Sequence, residues 1–197
     1  DWLDGARIPY AAFGRLWGRP ELTSWADVDG AHGLRIATEH LLAQGYSSVG
    51  FLGWPAGSQV GDDRRRGWAA VHEDRAMPLG PEATTVQDLG AATAAAGPLL
   101  DQVGRGGAVA CASDMLALGV ERAAAARGWR SGADIGICGF DDSAIAEIES
   151  LTSVAQPLYE IADHLLGLLQ ARLGGAPPPD AGLLVEPGLT IRSSSTR

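Results

Sequence analysis

The chain has 197 residues, 46% apolar and 6% aromatic, which is enough for one sizeable core or two small ones and excludes a short peptide or a disordered chain. Twenty-four acidic residues face fifteen basic ones, all of them arginine, for a formal charge of −9. A chain so acidic lacks the cations that carry non-specific nucleic-acid affinity, so any DNA contact has to come from elsewhere.

In chain order, an apolar run at 8–13 reads as a strand, and a helix over 33–44 places Leu34, Ala37 and Leu41 on one face before Gly45 stops it. A strand at 48–52 leads through Gly53-Trp54-Pro55-Ala56-Gly57-Ser58 into a helix over 63–74, whose start is crowded by Arg64, Arg65 and Arg66 and which holds Trp68 and Val71 three apart. A strand at 83–86 precedes an alanine-rich helix over 91–103 that Gly97-Pro98 should break or kink. The strand at 108–111 runs into a helix capped by Asp114 and ending near Arg127, with Leu116, Val120 and Ala123 or Ala124 on one face. A strand at 135–139 follows, then a helix over 158–173 with Ile161, Leu165, Leu168 and Leu169 inward, a Gly/Pro-rich loop, and a final strand within 183–191. Continuous apolar strands alternating with helices predict an α/β fold in which a mostly parallel, doubly wound sheet is covered on both faces.

Cys111 and Cys138 each sit in an apolar run and read as buried thiols; none of the four histidines forms a ligand-spaced cluster with them, so no metal and no cofactor is expected. The first five residues carry no export leader and no long apolar run exists, so a cytoplasmic protein without a membrane partner is expected.

Ligands of open parallel sheets bind beyond the carboxyl ends of the strands. Four segments fall there: Gly53 to Ser58, Ala112-Ser113-Asp114, Phe140-Asp141-Asp142-Ser143, and the arginine cluster at Arg64. A carboxylate accepts two hydrogen bonds at the spacing of vicinal hydroxyls, while a guanidinium fork donates in a plane, so Asp141 and Arg64 would make a polyol clamp. The alternative is that the paired aspartates cap a short helix and the arginines form a solvated face. Trp54 could stack on a sugar ring or plug the core. No Gly-x-Ser-x-Gly elbow, Walker loop or Gly-x-Gly-x-x-Gly motif follows the strands, so hydrolase, NTPase and dinucleotide chemistry have no motif behind them.

The ordered series of segments resembles the effector-binding region of the LacI/GalR family of bacterial regulators across nearly the whole chain. The resemblance is carried by Ile8-Pro9-Tyr10-Ala11-Ala12-Phe13-Gly14-Arg15, by Val28-Asp29 followed by Gly33 and Thr38-Glu39-His40-Leu41-Leu42-Ala43-Gln44-Gly45-Tyr46, and by Arg64-Arg65-Arg66-Gly67-Trp68. Ala112-Ser113-Asp114-Met115-Leu116-Ala117-Leu118-Gly119, Gly139-Phe140-Asp141-Asp142 and Leu151-Thr152-Ser153-Val154-Ala155-Gln156-Pro157 follow in the family's order.

The resemblance implies a periplasmic-binding-protein-like fold of two doubly wound lobes gripping a small effector, here expected to be a sugar. Residues 1–29 and 151–178 would be an incomplete N-terminal lobe, and 30–150 with 179–197 the C-terminal lobe. Arg64 and Asp141 match the family's main effector contacts and Gln156 a crevice residue; Ser113, Asp114, Trp54, Ser58 and Leu89 complete the expected site. Ser113 stands where the family usually has Asn, and Leu89 near where a stacking aromatic can occur. The resemblance further implies a homodimer that closes its lobes on the effector and meets operator DNA only through a helix-turn-helix these residues lack. The alternatives are a sugar-binding protein of a transport system and a doubly wound enzyme.

Overall fold

The computed structural model describes residues 8–197; the first five residues read above for an export leader, and the first seven of the expected N-terminal lobe, lie outside them. The chain divides into two compact units, Asp1–Asp29 with Pro157–Glu186 and Gly30–Gln156 with Pro187–Arg197, so it passes from one to the other three times. The division differs from the expected one at two places: 151–156 belong to the larger unit, and 179–186 to the smaller.

The larger unit holds α1 (Gly30–Ala43), β3 (Val49–Gly53), α2 (Val60–Asp74), β4 (Glu82–Thr84), α3 (Leu89–Val103), β5 (Ala108–Cys111), α4 (Asp114–Ala125), β6 (Gly136–Asp141), α5 (Ala144–Ile148), β7 (Thr152–Ala155) and β9 (Gly188–Thr190). Its sheet has the order β4-β3-β5-β6-β7-β9, parallel except for β9 at the edge. Every residue of β3 and β5 is buried. Because successive strand residues point to opposite faces, that pattern requires cover on both sides. Helices α1 and α2 pack on each other, as do α3 and α4.

Two glycines set how closely the helices approach. A Cβ on Gly33 would lie 2.7 Å from the Phe140 ring, and one on Gly67 would strike the backbone of Ala31, so α1 comes close to β6 and to α2 only with hydrogen at these positions. Trp68 fills the core beside them, stacked on Phe51 at 5.3 Å and donating its indole N–H to the Val49 carbonyl at 3.0 Å.

The smaller unit pairs β1 (Ala12–Phe13), β2 (Trp25–Val28) and β8 (Leu183–Val185) in parallel, with α6 (Leu158–Leu173) against β1 and β2. The predicted strand over 8–13 shrinks to two residues, since Pro9 has no N–H to pair. Of the α6 residues expected inward, Ile161 is buried, whereas Leu165, Leu168 and Leu169 are half-exposed.

The final strand within 183–191 is two short strands, β8 and β9, one in each unit. Gly97-Pro98 does not break α3. Pro98 and Ala94 are both exposed, so the carbonyl left without a helical donor meets water, and Gly97 brings no Cβ for the proline ring to strike. The cap of α4 is Ser113 rather than Asp114: its Oγ accepts from the Leu116 N–H at 3.3 Å.

β2 and β7 carry no apolar run and were not expected. In β7 the buried Thr152 is satisfied from the chain's end: its N–H donates to Ser194 Oγ at 2.8 Å, which in turn donates to the Ile137 carbonyl at 2.7 Å. Ser195 Oγ lies between Thr152 Oγ1 at 2.6 Å and His40 Nε2 at 2.8 Å. Ser194→Ala strands a buried donor and a buried acceptor and is expected to lower the unfolding free energy by about 2 kcal/mol, read from the urea midpoint at unchanged slope.

Cys111 and Cys138 are buried free thiols, as expected from their runs. Among the described residues no helix is long and apolar enough to cross a membrane, and no group of three or more histidine, cysteine or acidic side chains could hold a metal ion.

Candidate functional site

Helix α2 presents Arg64, Trp68 and Val71 to the interior at i, i+4 and i+7, so the first of the three arginines is a buried cation on the inner face. Its guanidinium lies over the Phe140 ring, 3.6 Å from Cζ to the centroid, and 5.3 Å from the Trp54 ring. One Nη donates to the Ala112 carbonyl at the end of β5, and the other to Asp141 Oδ1 at 3.4 Å. Three successive strand ends, after β3, β5 and β6, therefore converge on one cation, as the ligand end of a parallel sheet requires.

Asp141 closes β6 with φ +111°, and Asp142 follows at φ +50°. Two consecutive non-glycine residues in that region cost on the order of 1–3 kcal/mol each and persist only where neighbours hold them. They are held: Gln156 Nε2 donates to Asp141 Oδ1 at 2.6 Å, the Asp142 N–H donates to Ser153 Oγ at 3.0 Å, and the Asp142 carboxylate accepts from Arg192 at 2.7 Å and Thr190 at 2.8 Å. The pair does not cap α5, whose cap residue is Ser143. Asp142 ties β6 to the chain's end, and Asp141 is turned the other way with a side chain one-third exposed.

Both protein bonds to Asp141 fall on Oδ1. Among the described residues Oδ2 has no hydrogen-bond partner, so a carboxylate oxygen stands ready beside a buried guanidinium. Burial pushes the Asp141 carboxyl above the usual aspartate range, opposed by Arg64 and Gln156.

Asp114 behaves differently. It is 2% exposed; its Oδ2 accepts from the Ser143 N–H and Oγ, both at 2.8 Å, and its Oδ1 from Ser153 Oγ at 2.6 Å. A Cβ on Gly139 would strike this carboxylate, which is why glycine precedes Phe140. Its pKa is raised, chiefly by burial. Both oxygens are engaged by the protein, so Asp114 braces the Asp141 turn.

A family model for a periplasmic-binding-protein-like domain matches residues 38–195. The crystal structure of a regulatory protein of the LacI family from Chloroflexus aggregans aligns with TM-score 0.86 at 31% identity, over 98% of this chain and 71% of that one. The chain belongs to the LacI family. CelR, an HTH-type transcriptional regulator of Thermobifida fusca, is 31% identical over 98% of this chain and 58% of its own length. The solved complex of the transcriptional regulator CelR with cellobiose aligns at TM-score 0.84, 31% identity, over 98% of this chain and 60% of that one. The chain spans about half to three-fifths of the length of the curated regulators it matches. These relatives carry the names of transcriptional regulators, not of transport proteins or enzymes.

Of the residues expected from the LacI-family resemblance, Arg64, Asp141, Gln156 and Trp54 are brought together, with Trp54 half-buried rather than sealed in the core. Ser58 is exposed and accepts from the Gly61 N–H at 3.0 Å, bracing the start of α2. Leu89 opens α3, where its carbonyl accepts from Thr93 Oγ1 at 2.7 Å. The residue of that segment that joins the cluster is Gln87, whose Oε1 accepts from Trp54 Nε1 at 2.8 Å and Ser113 Oγ at 2.9 Å. Nothing in the periodicity marks Gln87; only its position after the edge strand β4 could have drawn it in.

Proposed function

We propose that this chain is effector-binding region of a LacI-type transcriptional regulator, and that Arg64, Asp141, Gln156 and Trp54 form the polyol-recognising wall of a sugar site. The observation that carries the reading is the open Oδ2 of Asp141 next to the buried Arg64 guanidinium. An acceptor and a planar donor side by side suit vicinal hydroxyls, and an indole face beside them suits the apolar face of a sugar ring. The 31% identity to CelR, solved with cellobiose, supports the same class of ligand. In this reading the larger unit is the C-terminal lobe and the smaller unit is part of the N-terminal one. The regulator works as a cytoplasmic homodimer without catalysis; its sugar biases the full-length protein between operator-binding states, and operator biases sugar affinity by the same factor.

Calorimetry with glucose, galactose, ribose and cellobiose tests it: saturable binding without product is expected, and turnover, or no binding by any of the four, would overturn it. The pH dependence has a definite sign. Ligand hydroxyls need ionised Asp141, so affinity falls as pH drops through its raised pKa, and the fall starts at a higher pH than an ordinary aspartate would give. Stability runs the other way. With the folded pKa above the unfolded one, the native state binds more protons in that window, so Asp141's contribution to the unfolding free energy decreases as pH rises through it. Asp141→Asn should flatten both profiles.

A further inference from the structure

Gln87 is exposed, and an exposed glutamine ordinarily samples many rotamers. Here two donors converge on it. The indole N–H of Trp54 can only donate, so the Gln87 atom 2.8 Å away is the carbonyl oxygen, which settles the orientation of the carboxamide. Ser113 Oγ, 2.9 Å from the same oxygen, accepts the Leu116 N–H through its lone pair and therefore has its own proton to give. The chain of bonds runs Leu116 N–H to Ser113 O–H to Gln87 Oε1, met from the other side by Trp54 N–H. With the oxygen doubly engaged, the two hydrogens on Nε2 are turned away from it, and among the described residues neither has a protein partner.

The amide is also tied to the Arg64 cluster by two routes. Trp54 lies against the Arg64 guanidinium, and Ser113 follows Ala112, whose carbonyl accepts from the same guanidinium. We infer that Gln87 is a specificity-determining residue of the site, its carboxamide nitrogen a preset donor to an oxygen of the saccharide stacked on Trp54. Asp141 thus supplies the acceptor and Gln87 a neutral donor, so the two sides of the wall distinguish sugars by where hydroxyl oxygens stand. Because the donor is held in place before binding, little rotamer entropy remains to be lost on contact. The inference rests on the sugar-site reading above.

The test uses the sugar of the four that binds most tightly, together with its monodeoxy derivatives, against wild type, Gln87→Glu and Arg64→Ala. Glutamate still accepts from Trp54 and Ser113 but has no N–H to give. Gln87→Glu is expected to weaken the parent sugar roughly tenfold. One monodeoxy derivative, weakened in wild type, should bind wild type and Gln87→Glu equally, because the bond it lacks is the bond the variant has lost. Thermal unfolding of the variant should match wild type. Equal weakening of the parent and every derivative would mean a merely structural role, and unchanged affinity would mean no role; either overturns the inference while Arg64→Ala still weakens binding strongly. If no sugar binds, or Arg64→Ala leaves affinity intact, the site itself is refuted and the Gln87 inference falls with it.

Discussion

Replacing Arg64 with alanine is expected to weaken sugar binding roughly a hundredfold or more, because a charge-assisted donor is lost and the acceptor beside it loses its cation. The bond to the Ala112 carbonyl, the pair with Asp141 and the stacking over Phe140 at 3.6 Å vanish together. Removing one member of a fully buried pair costs about 3–5 kcal/mol of stability, but the Asp141 side chain is one-third exposed and can take up water or a proton, so a cost nearer 2 kcal/mol is expected. Arg64→Lys separates the two effects. An ammonium keeps the charge near Asp141 yet cannot donate as a planar fork, so stability should recover more than affinity. Calorimetry paired with urea unfolding reads both, and wild-type affinity in Arg64→Ala would remove this side chain from the site.

Asp114→Ala should be the more damaging change for the fold. It strands the Ser143 N–H, the Ser143 hydroxyl and the Ser153 hydroxyl, three donors around one buried carboxylate. At about 1 kcal/mol per bond the loss is near 3 kcal/mol, or a fall in Tm of about 10 °C for a chain of this size. The raised pKa of Asp114 shows that burial disfavours its charged form, so alanine recovers part of the loss and the observed figure should fall somewhat short of the full sum. Affinity should drop as well, since Ser153 also accepts the Asp142 N–H that holds the turned backbone after Asp141. Asp114→Asn keeps one acceptor oxygen and should lie between alanine and wild type. Differential scanning calorimetry checks the series, and an unchanged Tm for Asp114→Ala would contradict the bracing role.

Much of the fold is legible because its signals are local. The run at 108–111 and the helix over 158–173 appear at their predicted bounds, since an unbroken apolar stretch and a 3.6-residue period need no distant partner to be recognised. β7 is illegible for the opposite reason: Thr152 and Ser153 are polar, and they become strand residues only because Ser194, Ser195 and Asp114 arrive from far along the chain to satisfy them. Pro98 misleads because its helix-breaking cost depends on whether water reaches the freed carbonyl, which is a matter of which face of α3 turns outward. At the site, the strand-end logic singles out Arg64 and Asp141, and the LacI-family resemblance points to the same pair, which the structure brings together; the sequence does not show that both Asp114 oxygens are engaged by serines, and Gln87 does not register at all.

Composition and periodicity by themselves determined the α/β class and the parallel sheet, strand-end position singled out the arginine–aspartate pair, and the ordered motifs carried the resemblance to the family, because each is written in residues close together or in their sequence order. Only the tertiary structure decided which carboxylate faces outward, which serine caps α4, to which unit the two final strands belong and how the Gln87 amide is held. Except for the α4 cap, a local bond from the Leu116 N–H to Ser113, those outcomes depend on partners 26 or more residues apart, and such partners have no period for a linear reading to detect.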